Sequence, residues 1–153
     1  MLDVDLRWRI TVEESRQGKV IPICLGDIDC CKPYFVGMLG EHYGWIPPAD
    51  QYSPDVIEHE PWLKGQLGGV NVTELEILHG VLNNPAMTER AFFYFRVQAW
   101  IVCQGESGFT SETPEEEAKI ADLKQRIRTS DLPVVATYSN VNWISTISLS
   151  SSN

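Results

Sequence analysis

Residues Ile23–Trp45 read ICLGDIDCCKPYFVGMLGEHYGW, and this stretch decides the fold class. Its first half continues a pattern of apolar residues at helical spacing that begins at Val20. The residue before a proline avoids the α region, so the helix is predicted to end before Pro33. The run Tyr34–Leu39 is continuously apolar, short and rich in residues that favour strands. It predicts a strand buried on both faces, as in a parallel sheet.

The same two patterns alternate along the rest of the chain. Working outward, the predicted elements are a strand at 2–8, a long loop from 44 to 69, a helix capped by Asn71 or Thr73, a strand at 91–95, a helix from Thr113 and a strand at 132–138. Such alternation predicts βαβ units and a parallel sheet with helices on both faces. The sequence therefore predicts one α/β domain over residues 1–139, followed by a poorly determined tail at 140–153.

The helix that starts at Thr113 carries the strongest boundary signal. A proline follows at the first helical position, and Glu116 lies three residues after the cap, as in a capping box. An apolar stripe is predicted along it, formed by Ile120, Leu123 and Ile127.

Composition limits the classes of function. The 153 residues suffice for one domain, and the formal net charge of -9 argues against broad electrostatic binding to nucleic acid or anionic lipid. No apolar run approaches the ~18 residues of a membrane span, and the charged start MLDVDLRWRI lacks a signal-peptide core. The chain is therefore predicted to be cytoplasmic, with reduced cysteines. It has no phosphate-binding loop, nucleophile elbow or metal-ligand spacing, so no cofactor or metal is predicted.

Leu6-Arg7-Trp8, followed by ICLGDIDCCKPYFVGMLGEHYGWIPP, resembles a known domain. This is the N-terminal α/β domain, of unassigned function, in nephrocystin-type, telomerase-protein-component-type and NACHT–WD-repeat proteins. The pieces VTELEILHGVL, AFFYFR and EEEAKIADLKQRIRTSDLPVVATYS match as well, so the resemblance covers most of residues 1–139. Family members precede a STAND-type nucleotide-binding ATPase and a repeat array. They are regarded as distant relatives of Toll-receptor-like and nucleoside-deoxyribosyltransferase-like domains, which implies a flavodoxin-like parallel sheet.

The sequence departs from the family at both ends. The family opens with one more strand and helix, whereas Met1 stands where the second strand starts, and the tail VNWISTISLSSSN replaces an expected final helix. In the flavodoxin-like strand order 2-1-3-4-5, the missing first strand lies between the second and the third. Three outcomes stay open. Val97–Cys103 supplies a replacement strand, the second and third strands pair directly, or the chain is a partial product that folds poorly alone.

Glu76 is the candidate catalytic residue that the resemblance implies. In the deoxyribosyltransferase-like and Toll-receptor-like relatives, a glutamate near the start of the helix after the third strand attacks or stabilises a ribosyl carbon. Glu76 stands at the comparable place, where a carboxylate would stabilise an oxocarbenium-like centre. The competing interpretation is structural. Thr73 and Glu76 have the spacing of a capping box, and Asn71 and Glu74 have an equivalent spacing.

Two further groups stand at strand ends, where ligands bind in parallel sheets. Asp5 and Arg7 lie at the carboxyl end of the first predicted strand, and they pair with each other, with a loop or with a ligand. In the turn after the apolar run, Tyr43 or Trp45 would stack on a base and His42 would donate a hydrogen bond. The alternative is a structural turn that packs its aromatic rings on the sheet edge.

Three hypotheses about function follow. The first is a protein-interaction or effector module of a STAND-type signalling or scaffold protein, with protein partners and neither nucleic acid nor membrane. The second is an enzyme that cleaves a glycosidic bond of NAD or a nucleoside through Glu76. The third is a non-functional fragment.

Overall fold

The computed structural model of this chain describes residues 18–96 and 113–138. The predicted strand at 2–8, the Val97–Cys103 stretch and the tail from residue 139 lie outside the described residues. The described helices and strands, in chain order, are α1 (Val20–Cys31), β1 (Phe35–Leu39), α2 (Pro54–His59), α3 (Val72–Ile77, continued by a π-helical turn, Leu78–Leu82), β2 (Ala91–Arg96), α4 (Pro114–Thr129) and β3 (Val134–Tyr138).

The strands form a small parallel sheet in the order β1-β2-β3. Between β2 and β3, Phe93 lies opposite Val134 and Tyr94 lies opposite Val135. Parallel neighbours need a crossover connection, and α3 and α4 lie in the two crossovers. The predicted α/β class is therefore confirmed, as a three-stranded parallel sheet flanked by helices.

The boundary between α1 and β1 lies where the proline rule predicts. The helix ends at Cys31, and Lys32 adopts extended backbone angles of φ -52 and ψ 149 before Pro33. The strand then begins at Phe35. Local steric restriction by the proline ring is enough to explain this helix end.

The prediction that β1 is buried on both faces is wrong. Val36 is 57% exposed and Met38 is 47% exposed, whereas Leu39 is 4% exposed. The same alternation continues in β2, where Phe92 is 37% exposed and Phe93 is 0% exposed. Among the described residues, one face of β1 and β2 is therefore buried and the other is largely exposed. An apolar run reports the chemistry of a strand and not the number of elements that pack against it.

The segment between residues 44 and 69, predicted as a loop, contains short helices. Residues Ala49–Gln51 form one turn of 3-10 helix, α2 follows, and Pro61–Gly65 form another 3-10 segment. The prolines at the first turns of α2 and of the second 3-10 segment suit helix starts, because proline lacks only an N–H that would be unpaired there. Ser53 completes the start of α2, since its hydroxyl accepts a hydrogen bond from the Val56 N–H at 3.4 Å.

The described residues fall into two compact units. The first comprises residues 18–35 and 44–87, and the second comprises residues 36–43, 88–96 and 113–138. A hydrophobic cluster lies in the first unit, formed by Ile21, Leu25, Tyr52, Val56, Leu63 and Leu75. The second unit contains β2, β3, α4 and most of β1.

In the second unit, α4 packs on the sheet as its apolar stripe predicts. The predicted capping box is present, because Thr113 Oγ1 accepts from the Glu116 N–H at 3.2 Å and Glu116 Oε2 accepts from the Thr113 N–H at 3.3 Å. All three stripe residues are buried, and the Arg128 guanidinium lies 4.9 Å from the centre of the Phe95 ring. Lys124 also reaches the end of β1, where its ammonium donates to the Glu41 carboxylate at 2.7 Å.

In the first unit, the π-helical turn after α3 needs a glycine. A Cβ atom at Gly80 would lie 3.0 Å from the Phe35 ring and 3.1 Å from Cγ2 of Ile28. The helix therefore approaches β1 and α1 more closely than a side chain at this position would allow. No helix among the described residues is both long and apolar enough to cross a membrane.

Candidate functional site

Glu76 does not cap the helix that carries it. The N-cap of α3 is Asn71, whose side-chain oxygen accepts a hydrogen bond from the Glu74 N–H at 2.7 Å. Thr73 lies inside the helix instead. The structure thus decides between the two capping interpretations in favour of Asn71. Glu76 is left without the structural role that its spacing from Thr73 implied.

Substitutions at Asn71 and Thr73 give a direct test of this cap. We expect Asn71→Ala to lower the free energy of unfolding by about 1 kcal/mol, because the Glu74 N–H loses its acceptor. Thr73→Ala is the matched control and should change it by less than about 0.5 kcal/mol, since Thr73 is exposed. Chemical denaturation measures both. Equal losses from the two substitutions would show that the cap assignment is wrong.

Glu76 contacts a buried thiol. Its side chain points from α3 to Cys24 in α1, which is 2% exposed, and the two side chains are hydrogen-bonded. Burial raises the pKa of Glu76 to about 7, and the hydrogen bond from the Cys24 thiol opposes part of that rise. The pKa of Cys24 rises to about 12, because of burial first and the neighbouring Glu76 charge second. The thiol is therefore a hydrogen-bond donor at neutral pH, and not a nucleophile.

This environment suits Glu76 for acid–base chemistry. A carboxyl group with a pKa near 7 exists in both protonation states at neutral pH, which is the condition for efficient proton transfer. The Asp27 carboxylate lies close enough for its charge to raise the pKa of Cys24. Cys24 and Asp27 were not predicted as site residues. The spacing of Cys24 and Glu76 in the sequence gives no signal of their contact, because it depends on how α1 packs against α3.

The raised pKa of Glu76 makes the stability of the chain depend on pH. Between its ordinary value of 4.5 and its folded value of about 7, the unfolded chain releases a proton that the folded chain retains. Stability should therefore fall as the pH rises through this window, by up to about 3 kcal/mol. Denaturation of the parent chain and of Glu76→Gln between these pH values measures the effect, because glutamine does not titrate.

The exposed Glu58 in α2 provides the matched control for this experiment. Glu58→Gln should keep the pH dependence of the parent chain, whereas Glu76→Gln should flatten it. A Glu76→Gln variant that loses stability with pH as steeply as the parent would contradict the assignment.

The other predicted ligand-binding residues that the structure describes are divided between the two units. Tyr43 is 2% exposed, and the Lys119 ammonium lies 5.8 Å from its ring centre, within the second unit. His42, in the same unit, is exposed. Trp45 is 52% exposed and belongs to the first unit. Asp5 and Arg7 lie outside the described residues.

A groove of about 370 Å³ lies between α1 and α2 in the first unit. Leu25 and Val56 are among its apolar walls, and Asp29 and Glu60 are among its acidic ones. Behind the acidic pair, His79 Nε2 lies 3.2 Å from Asp29 and His79 Nδ1 lies 3.7 Å from Glu60. Glu76 is not among the residues that line the groove. Within 18–96 and 113–138, no three or more His, Cys, Asp or Glu side chains are grouped to hold a metal ion.

Sequence comparison relates this chain to segments of larger proteins. This chain is similar to a segment of telomerase protein component 1. Identity is 31% over 143 residues with the mouse protein and 33% over 128 residues with the rat protein, covering 89% and 80% of this chain. A TPR repeat-containing protein of Dictyostelium discoideum is 31% identical over 137 residues, covering 81% of this chain.

These relatives are far longer than the matched segment. The chain spans 5% of the length of the two telomerase protein components and 8% of the Dictyostelium protein. No protein-family model matches the chain, and no solved structure matches it. The telomerase-protein-component part of the resemblance is therefore confirmed as a similarity of sequence.

Proposed function

We propose that this chain is a protein-interaction module of a larger signalling or scaffold protein. The observation that carries the proposal is an apolar face of the sheet whose side chains are exposed among residues 18–96 and 113–138. The names of the relatives agree with it, since one is a component of a larger enzyme and the other contains TPR repeats. The nephrocystin-type and NACHT–WD-repeat side of the resemblance extends the proposal to STAND-type proteins.

We call this surface the open sheet face. It consists of Val36 and Met38 from β1, Phe92 and Tyr94 from β2, and Val135 from β3. Successive side chains of a strand point to opposite faces, so these five residues alternate with the buried ones. The opposite face belongs to α4, because Phe95 lies beneath Arg128 and Glu41 pairs with Lys124.

The open sheet face is unusual for a surface in contact with water. Val36, Met38 and Phe92 are between 37% and 57% exposed, and none of the five residues is charged. Contiguous exposed apolar side chains mark sites of association, because their burial against a partner removes apolar surface from water. None of the formal net charge of -9 comes from these five residues.

A photo-crosslinking amino acid tests this proposal in cells that express the protein. One variant carries it in place of Phe92, and the control carries it in place of Gln125, which is exposed on α4. We expect a discrete covalent adduct at position 92, whose partner mass spectrometry identifies, and none at position 125. No adduct at position 92, or the same adducts at both positions, would overturn the proposal.

A second candidate function rests on Glu76 and its raised pKa. We propose it as an acid–base or electrostatic group that cleaves the bond between the ribosyl carbon and the base of NAD or a nucleoside, with water as the acceptor. The ionised carboxylate would stabilise the positive charge that develops on the ribosyl carbon. Glu76 would thus act in its ionised form during bond cleavage.

Incubation of the purified chain with NAD or with nucleosides tests this candidate. Release of free nicotinamide or free base is the measurement. We expect turnover to be lost in Glu76→Gln and kept in Glu58→Gln. A well-folded chain that releases neither product excludes this candidate, and the interaction proposal is unaffected.

A further inference from the structure

We infer that the groove between α1 and α2 binds a segment of a partner protein in which a lysine or arginine stands beside an apolar residue. The inference goes beyond the proposed function, because the groove belongs to the first unit and the open sheet face to the second. The groove volume of about 370 Å³ lies near the lower end of the roughly 300–1,000 Å³ of ligand-binding sites. It therefore suits a few side chains of a peptide.

The apolar walls of the groove are held by the core of the first unit. Leu25 of α1 is 4% exposed and Val56 of α2 is 8% exposed, and both belong to the hydrophobic cluster of this unit. The packing of the two helices in that cluster sets the width of the groove. A preformed groove strengthens binding, because less of the protein has to become ordered when the partner arrives.

Gly26 keeps one wall of the groove open. It lies in the interior of α1, where glycine is less favourable than alanine. Its φ is not positive, and among the described residues a Cβ atom at this position would meet nothing within 4 Å. Unlike Gly80, it is therefore required neither by the backbone conformation nor by close packing. A side chain at this position would instead occupy space that a ligand of the groove would use.

The charge of the groove favours a basic partner. Asp29, Asp55 and Glu60 are among its lining residues, and no lysine or arginine is. The described residues of the first unit include eight Asp and Glu residues but three Lys and no Arg, so the surroundings add to the negative potential of the groove. A lysine or arginine side chain is attracted by this potential, and an acidic segment is repelled.

Two of the three carboxylates are held in position from behind. His79 Nε2 lies 3.2 Å from Asp29 Oδ2, and His79 Nδ1 lies 3.7 Å from Glu60 Oε2. The Trp62 indole donates to the same Glu60 oxygen at 2.7 Å. One histidine thus joins a carboxylate that follows α2 to a carboxylate of α1. Carboxylates fixed in this way lose little conformational freedom when they bind a cation.

The carboxylates retain the capacity to accept hydrogen bonds from a ligand. Glu60 Oε1 and the Asp55 carboxylate make no hydrogen bond or ion pair with any residue that the structure describes. Asp29 pairs with Lys32 at 2.8 Å, but both side chains are more than 40% exposed. An exposed pair of this kind contributes little, so an incoming cation competes with Lys32 for Asp29.

Three short labelled peptides test the inference on the whole chain. The first contains repeated Lys-Leu pairs, the second has glutamate in place of each lysine, and the third has glutamine there. Fluorescence anisotropy at about 0.15 M salt measures binding. We expect the lysine peptide to bind at least about tenfold more tightly than either of the others. Its affinity should fall as salt is added, because salt screens the attraction.

Gly26→Leu locates the binding site without a change of charge. The leucine side chain fills the groove, so the affinity for the lysine peptide should fall by about tenfold or more. Gly65→Leu is the matched control. Gly65 also has open space around a Cβ atom and lies in the first unit, but it is not among the residues that line the groove. This control should leave binding unchanged.

A pair of double variants separates the groove from the general charge of the unit. Asp29→Asn combined with Asp55→Asn should weaken binding of the lysine peptide by about tenfold or more. Asp50→Asn combined with Glu58→Gln removes the same charge from two exposed residues of the first unit that do not line the groove. This control should weaken binding by less than about twofold, because salt screens distant exposed charges.

Several results would overturn the inference. These are equal binding of the three peptides, no binding to a folded chain, unchanged affinity in a folded Gly26→Leu variant, or equal losses in the two double variants. Free spermidine that displaces the lysine peptide at the same concentration would make a small amine the occupant instead. Circular dichroism shows which variants are folded, and the double variants decide if Gly26→Leu is not. Crosslinking at position 92 tests the proposed function on another surface, so either proposal can fail alone.

Discussion

Phe93→Ala is expected to lower the free energy of unfolding by about 3–5 kcal/mol. The side chain is 0% exposed and lies on the face of β2 that α4 covers. Its removal leaves a cavity that the sheet and helix cannot fill without moving, and the lost contacts add to the lost transfer free energy. Such a loss is a large fraction of the total stability of a small domain.

The adjacent residue is the control for this prediction. Phe92→Ala should change the free energy of unfolding by less than about 1 kcal/mol, because Phe92 is 37% exposed on the open sheet face. Chemical denaturation measures the stability of both variants. Phe92→Ala should also reduce any aggregation of the chain, because it removes exposed apolar surface. If Phe92→Ala were as damaging as Phe93→Ala, both faces of the sheet would be covered and the interaction proposal would lose its basis.

The second large effect is expected in the first unit. Leu75→Ala should lower the free energy of unfolding by about 2–5 kcal/mol. Leu75 is 0% exposed in α3 and belongs to the cluster that joins this helix with Leu25 of α1 and with Val56 of α2. Three helices would therefore lose contacts at once.

Leu67→Ala provides the control of the same residue type. Because Leu67 is 37% exposed, this substitution should lower the free energy of unfolding by less than about 1 kcal/mol. The parent chain should unfold cooperatively in the same experiment. A gradual, non-cooperative transition in the parent, or equal effects of the two leucine substitutions, would show that the first unit has no fixed core and would favour the non-functional fragment.

Local chemistry allowed much of the fold to be predicted. The end of α1 before Pro33 and the capping box at Thr113 follow from steric restriction and from hydrogen bonds between residues three apart. The short helices between residues 44 and 69 were missed, although Ser53 and the proline after it form a typical helix start. These helices are too short to show the periodic spacing of apolar residues, and the frequent prolines and glycines around them are typical of a loop.

The candidate site could be predicted only in part. The resemblance predicts Glu76 as the catalytic residue; the structure places it in α3, and the catalytic role stays a prediction. Its partner Cys24 was not identified, because the two residues are far apart in the chain and meet only when α1 and α3 pack. For Tyr43 the sequence left a ligand contact and a structural turn open; the ring is 2% exposed and the Lys119 ammonium lies 5.8 Å from its centre, and the ligand contact stays a prediction.

The sequence by itself determined the alternation of helices and strands, the parallel sheet and the ends of α1 and α4. These features depend on neighbours within a few residues, whose chemistry can be read along the chain. Only the tertiary structure decided which face of β1 and β2 is buried and why the pKa of Glu76 rises to about 7. Both depend on the removal of water by elements distant in sequence, and the strength of burial and of electrostatic interactions is set by that packing.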